Sequence, residues 1–176
     1  ILEADIKSCF DTISHQWIKE NIPISKRVLG KWLKSGIIDG KTFLKTTKGV
    51  PQGGVISPTI ANMTLDGLEQ FIGTQFKSKY QNPHKVHFIR YADDFVVTAK
   101  DKETLEAIKQ YIVAFLAKRG LILSETKTKI THIKEGFDFL SQNVRKYNGK
   151  LLITPSKKSI QTIKKKIDVT IDKNQT

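Results

Sequence analysis

The sequence predicts an α+β fold, with an antiparallel sheet packed on helices, and three observations lead there. Short β-prone segments crowd together at 129–133, 137–140, 143–146 and 151–153, and the "YNGK" between the last two is a strong hairpin-turn signal. Leu105, Ile108, Ile112 and Phe115 repeat at helical spacing and form an apolar stripe that stops at Gly120. The run "FIRYADDFVV" reads as two strands, 86–90 and 95–98, joined at "YADD". Clustered late strands favour an antiparallel sheet over a doubly wound one.

Taken in order, residues 1–6 read as a strand. Ser14 is a plausible N-cap for two short helical segments broken at "NIPIS". Residues 36–50 place turn residues between β-prone pieces and suggest a small hairpin. A long helix follows "QGG", with Ser57 as its cap and Pro58 in the first helical position, where a missing N–H is harmless. Ile60, Met63, Leu68, Phe71 and Ile72 keep near-helical spacing along it. Asp101 caps the next helix. Ser156 opens the last one, with Ile160, Ile163 and Ile167 expected to face inward and lysines spread around them.

Composition bounds the function. The chain has 176 residues, about one ordinary domain, with 39% hydrophobic residues and nine Phe, which argues for a folded protein. Thirty Lys+Arg against 17 Asp+Glu leave a formal net charge of +13, an excess that suits a polyanionic partner, nucleic acid or an anionic membrane. The longest apolar run, "YIVAFLA", is far too short to span a bilayer. With Cys9 as the only cysteine there is no intramolecular disulfide and no Cys-based zinc site, which suits a reducing interior. The apolar opening "ILEADI" and the polar end "TIDKNQT" lead us to expect a segment of a longer chain.

Asp93 and Asp94 are the anomaly. Asp is a poor strand residue, and two adjacent carboxylates repel each other. Successive side chains on a strand point to opposite faces, so a straight strand could not aim both at one site. A tight turn removes that restriction and presents both at one edge, where hard divalent cations that take oxygen ligands can neutralise them. Asp5, at the end of "ILEADI", is the candidate third carboxylate, and the four histidines are too scattered to offer a softer site. An exposed acidic turn is the alternative reading.

Three blocks in order narrow the choice: "EADIKSCFDTI", "GVPQGGVISPTIANM" and "RYADDFVVTAKDKE". With "RGLILSETKTKITHI" and "GFDFLSQNVRKYNGK" they resemble the motifs of reverse transcriptases, in wording most like those of bacterial and organellar group II introns, over nearly the whole chain. The resemblance implies a polymerase palm at 1–154 and the beginning of a helical thumb or maturase region at 155–176, with the fingers absent. It implies an RNA-directed DNA polymerase that adds deoxynucleotides to a DNA primer on an RNA template and serves intron mobility or splicing. Group II intron RNA is then the expected partner, and the location bacterial cytoplasm or an organelle. No membrane role is expected.

The same resemblance implies residue roles. Asp5, Asp93 and Asp94 would be the catalytic carboxylates and, with the Ile6 carbonyl, would hold two Mg²⁺ ions, for which Mn²⁺ can substitute. For Asp94 a supporting acceptor in the turn is the alternative. Phe10 would abut the sugar of the incoming nucleotide and favour deoxynucleotides; a plain core Phe is the alternative. Gln52 and Gly53 would lie at the nucleotide, and Lys127 near its triphosphate. Tyr91, Gly136, Phe137, Lys157 and Lys158 would meet the primer or the duplex, although Phe137 and Phe139 also fit the core face of a strand. The family more often has Gly-Phe or Gly-Tyr where this chain has Ser141-Gln142.

Residues 127–176 carry twelve Lys+Arg against four Asp+Glu, which suits a phosphate-facing surface. Without fingers residues to hold the triphosphate, the chain alone is expected to polymerise poorly. Competing readings are a noncatalytic RNA-binding maturase module, a reverse transcriptase of a retron, diversity-generating or CRISPR-linked system, and a nucleotide cyclase. Intact Asp5, Asp93, Asp94 and Gln52 favour the polymerase over the maturase module, and the Gln-Gly-Gly block argues against the cyclase.

Overall fold

In the computed structural model, residues 1–39, 42–44, 46–76 and 81–173 are described. Leu2–Lys129 form one compact unit, and Ile130–Thr176 together with Ile1 form another.

The first unit starts with β1 (Leu2–Ala4), shorter than the predicted 1–6. A short helix that the sequence did not announce, α1 (Cys9–Thr12), follows Ser8, whose left-handed backbone (φ 48°) turns the chain sharply out of the strand. Ser14 caps α2 (His15–Asn21) as expected, its hydroxyl accepting the Trp17 N–H. After the predicted break, α3 (Lys26–Leu33) buries Leu29 and Leu33. The predicted hairpin is present as β2 (Ile37–Asp39) and β3 (Thr42–Leu44), paired antiparallel. Positions 40, 41 and 45 of that segment lie outside the described residues.

The predicted long helix is two helices, α4 (Ser57–Leu65) and α5 (Leu68–Phe76). Asp66 is extended (ψ 147°) and Gly67 sits at φ 80°, so the helical ladder stops there. Ser57 is the first residue of α4 rather than its cap, which is Ile56. Its hydroxyl is already committed to the Pro51 carbonyl at 2.6 Å. The predicted strand pair appears as β4 (His87–Tyr91) and β5 (Asp94–Thr98). Asp101 caps α6 (Lys102–Ala117) by accepting the Thr104 N–H at 2.8 Å, and the stripe Leu105, Ile108, Ile112 and Phe115 is buried. β6 (Lys129–Ile130) is shorter than predicted, because residues 132–135 turn away with the Glu135 N–H on the His132 carbonyl.

The sheet order is β4-β5-β1-β6, with β1 and β4 both antiparallel to β5. One face carries Leu2, Ala4, Phe95 and Val97, all at most 7% exposed, and is the core face. Burying a side chain such as Phe95 stabilises by about 1.5–3 kcal/mol. The other face carries Ile89 and Tyr91, which are 50% and 66% exposed. Behind the core, Phe71 of α5 packs on Phe115 and Tyr111 of α6. Arg119 ties three helices together: it donates to the Thr64 and Phe115 carbonyls and lies over the Phe115 and Trp17 rings.

In the second unit, β7 (Phe137–Phe139), β8 (Gln142–Tyr147) and β9 (Lys150–Pro155) form an antiparallel sheet. The turn in "YNGK" is the predicted one, with Asn148 at φ 46° and Gly149 at φ 79°. Ser156 donates its backbone N–H to the Ser141 carbonyl and accepts from the Ser159 N–H, starting α7 (Lys157–Lys173). Here one expectation fails: Ile160, Ile163 and Ile167 are 42%, 56% and 51% exposed rather than inward. The helix has the apolar periodicity of a packed element, but none of the described residues covers that stripe.

Candidate active site

The site is built at one end of the β4-β5-β1 ladder. Ala4, the last residue of β1, pairs with Phe95 across the sheet, so Asp5 leaves the strand close to Asp94, whose carboxyl feels its charge. Directly opposed residues of an antiparallel pair share a face, so Asp94 and Tyr91, which pair with each other, lie on the face opposite Phe95. Asp93 occupies the two-residue turn between β4 and β5. Ala92, the other turn residue, takes φ 55°, a conformation that costs an L-residue roughly 1–2 kcal/mol. Arg90 braces it, its guanidinium donating to the Ala92 carbonyl at 2.9 Å and to Asn62 at 3.0 Å. The turn frees Asp93 from strict alternation, as the sequence required.

The electrostatics register the crowding. Asp94's carboxyl is pushed above the usual range, first by desolvation and then by the charges of Asp93 and Asp5, with Lys127 opposing. The buried thiol of Cys9 is pushed up to about 12 by desolvation and by Asp93, Asp11 and Asp5. Asp5 is paired with Lys127, Nζ to Oδ2 at 3.3 Å.

Among the described residues, no three His, Cys, Asp or Glu side chains close into a metal-holding group. The donor set nevertheless fits a hard cation. All its ligands are oxygens, and Mg²⁺-type ions commonly take only one or two carboxylates, completing their shell with water and substrate phosphate. Past the end of β1 the Asp5 carbonyl accepts from Ser124 N–H and the Ile122 carbonyl from Lys7 N–H, with Ile6 bridged to Leu123 between them.

Beside the carboxylates, α1 is locked to the loop before α4. Val50 N–H donates to the Phe10 carbonyl, Gly49 N–H to the Ile13 carbonyl, and Gln52 to Asp11 at 3.1 Å. His15 Nε2 lies 2.6 Å from the Gly49 carbonyl. A Cβ on Gly49, at φ 75°, would stand 2.5 Å from the Phe10 carbonyl oxygen, so only glycine allows this approach. Phe10, partly buried, and Gln52, exposed, are therefore held on one scaffold, with Gly53 in the same loop. Sequence reasoning missed Gly49, His15 and Arg90. The glycine that opens "GVPQGG" was the available signal for the first.

Gly136, Phe137, Lys157 and Lys158 belong to the other unit. Gly136 takes φ 86°, and Phe137 is 8% exposed, so its ring fills that unit's core. Lys157 and Lys158 are exposed at the start of α7.

Comparison with known proteins gives the family. The model of the family described as "Reverse transcriptase (RNA-dependent DNA polymerase)" matches residues 1–144. Protein YkfC of Escherichia coli K12 is 31% identical over 178 residues, covering 82% of this chain and 46% of that protein. The group II intron-encoded protein LtrA of Lactococcus lactis subsp. cremoris is 27% identical over 207 residues, covering 82% of this chain and 34% of that protein. This chain thus spans less than half the length of either relative. A solved telomerase of Candida tropicalis, in complex with a fragment of telomeric RNA, shares the fold at TM-score 0.63 and 16% identity, over 86% of this chain and 29% of that one.

Proposed function

The chain belongs to the reverse transcriptase family, and on that premise we propose that it is the palm of an RNA-directed DNA polymerase of the group II intron-encoded kind. The observation that supports the reading is that Asp94 feels the charges of both Asp93, in the adjoining turn, and Asp5, which follows the end of β1.

The family uses divalent metal ions. In this chain Asp5, Asp93, Asp94 and the Ile6 carbonyl would hold them, Mg²⁺ in the first instance and two in number. When bound, such ions stabilise the negative charge that develops on the attacking and leaving oxygens in phosphoryl transfer. The protein's own residues do the positioning. Phe10, fixed by the α1 scaffold, bounds the sugar of the incoming deoxynucleotide, and Gln52 and Gly53 bring side chain and backbone against the nucleotide and template base. Lys127, ion-paired with Asp5, would meet the triphosphate and donate a proton to the leaving pyrophosphate. An RNA template, a DNA primer and group II intron RNA are the nucleic-acid partners of this reading.

The test is primer extension on an RNA template with the full-length protein and its Asp93→Ala variant, beside RNA-binding affinity. Synthesis falls by at least about a thousandfold while affinity changes less than about twofold. Equal loss of both would mean a folding defect and remove the catalytic assignment. Unimpaired synthesis would remove it outright.

A further inference from the structure

The loop that carries Gln52 and Gly53 hangs on two side chains that none of the roles above uses, His15 and Asp11. His15 is the first residue of α2. Its backbone is fixed by the Ser14 cap before it, which donates its N–H to the Arg119 carbonyl at 2.9 Å and accepts from Trp17 through its hydroxyl. From there the half-buried ring reaches 34 residues along the chain to the Gly49 carbonyl, with Nε2 2.6 Å from the oxygen. A carbonyl oxygen can only accept, so Nε2 carries the proton. The neutral Nε2–H imidazole and the imidazolium both donate from that atom, so the tether persists through titration of the ring.

Gly49 and Val50 are buried, whereas Gln52 and Gly53 beyond them are exposed. The inner part of the loop has its backbone groups matched one by one. Gly49 N–H donates to the Ile13 carbonyl and Val50 N–H to the Phe10 carbonyl, while the Gly49 carbonyl takes His15 and the Pro51 carbonyl takes the Ser57 hydroxyl at 2.6 Å. The first two are backbone bonds, but the third depends on one imidazole. Without that ring a buried carbonyl loses its donor, and the loop must shift toward water to satisfy it. Gln52 follows three residues later, its Nε2 donating to Asp11 Oδ1 at 3.1 Å. A carboxylate offers only acceptors, so Asp11 selects the NH2 end of that amide, and Oε1 becomes the end available to a ligand.

We propose that His15 and Asp11 are positioning residues for the incoming nucleotide, acting through Gly49 and Gln52 rather than on the substrate. His15 fixes the loop backbone, and Asp11 fixes which end of the Gln52 amide faces outward. The proposal rests on the polymerase reading for its substrate. It separates nucleotide affinity from chemistry, because a loop that meets the nucleotide equally in the ground and transition states changes KM and leaves kcat alone.

Two measurements on the full-length protein test it. The first, hydrogen exchange without substrate, compares wild type with His15→Leu and with His15→Gln, whose amide nitrogen can replace Nε2. Exchange at Gly49 and Val50 quickens about 2- to 10-fold in His15→Leu and returns to within about twofold of wild type in His15→Gln. The second is steady-state primer extension on an RNA template. KM for deoxynucleotides rises about 2- to 10-fold in His15→Leu and in Asp11→Ala, with kcat within about twofold of wild type. Asp11→Asn keeps an acceptor oxygen and restores KM. Gln16→Ala, which removes a hydrogen bond to Glu20 elsewhere on α2, changes neither readout. A merely structural role lowers the folded fraction, and so kcat, at constant KM. That result overturns the proposal, as does unaltered exchange in His15→Leu or failure of the two conservative variants to restore. Should His15→Leu not fold, Asp11→Ala against Asp11→Asn decides by the same KM criterion. A wild type that extends no primer, with the exchange pattern as stated, fails the polymerase reading and the nucleotide role with it, and leaves the His15 tether standing.

Discussion

Asp94 begins a strand with its ionised form disfavoured, because it is partly desolvated and faces Asp93 and Asp5. Its folded-state pKa lies above the unfolded value of about 3.9, so the native state binds more protons than the unfolded state through that window. Stability attributable to Asp94 is therefore highest at low pH and is lost as pH rises through the unfolded and then the folded pKa. We expect Asp94→Asn, measured by thermal unfolding in chelator, to melt above wild type at pH 7, with the difference shrinking toward pH 4. A variant that melts below wild type at pH 7 would show that the carboxylate is stabilising instead. The sequence disclosed the like-charge pair and its need for a turn. It did not disclose that Lys127 would take up Asp5, or that Gly49 must let a loop touch α1, because both depend on residues brought together from far along the chain.

Local elements were legible where their chemistry is local. Ser14 and Asp101 cap their helices through one hydroxyl and one carboxylate, and "YNGK" forms its turn because Asn and Gly tolerate positive φ. Ser57 escaped the same logic because a neighbouring carbonyl captured its hydroxyl, and Gly67 ended a helix whose periodicity continued beyond it. The β7–β8 turn gives the departure from the family wording at Ser141 its physical meaning. Leu140 and Ser141 both sit at positive φ, 47° and 69°, where glycine carries no Cβ penalty. Ser141→Gly is thus expected to raise the unfolding free energy by up to about 1 kcal/mol in urea titration. A decrease of about 1 kcal/mol or more would mean that the serine makes a contribution larger than its backbone strain.

On the scale of the molecule, the α+β architecture followed from the clustered strands and the α6 stripe, since burial periodicity is written along the chain. The exposed isoleucines of α7 were misread for the complementary reason: periodicity says that a helix has an apolar face, and only the coordinates say what covers it. The basic surplus of residues 127–176 falls mainly in the second unit, while the acidic residues of the catalytic reading lie in the first. The central claim is that Asp5, Asp93 and Asp94 act together on divalent cations, and Mn²⁺ titration of the full-length protein followed by electron paramagnetic resonance tests it most directly. Saturable binding that falls at least tenfold in both Asp5→Asn and Asp93→Asn is the predicted result, and undiminished binding in either variant would contradict it.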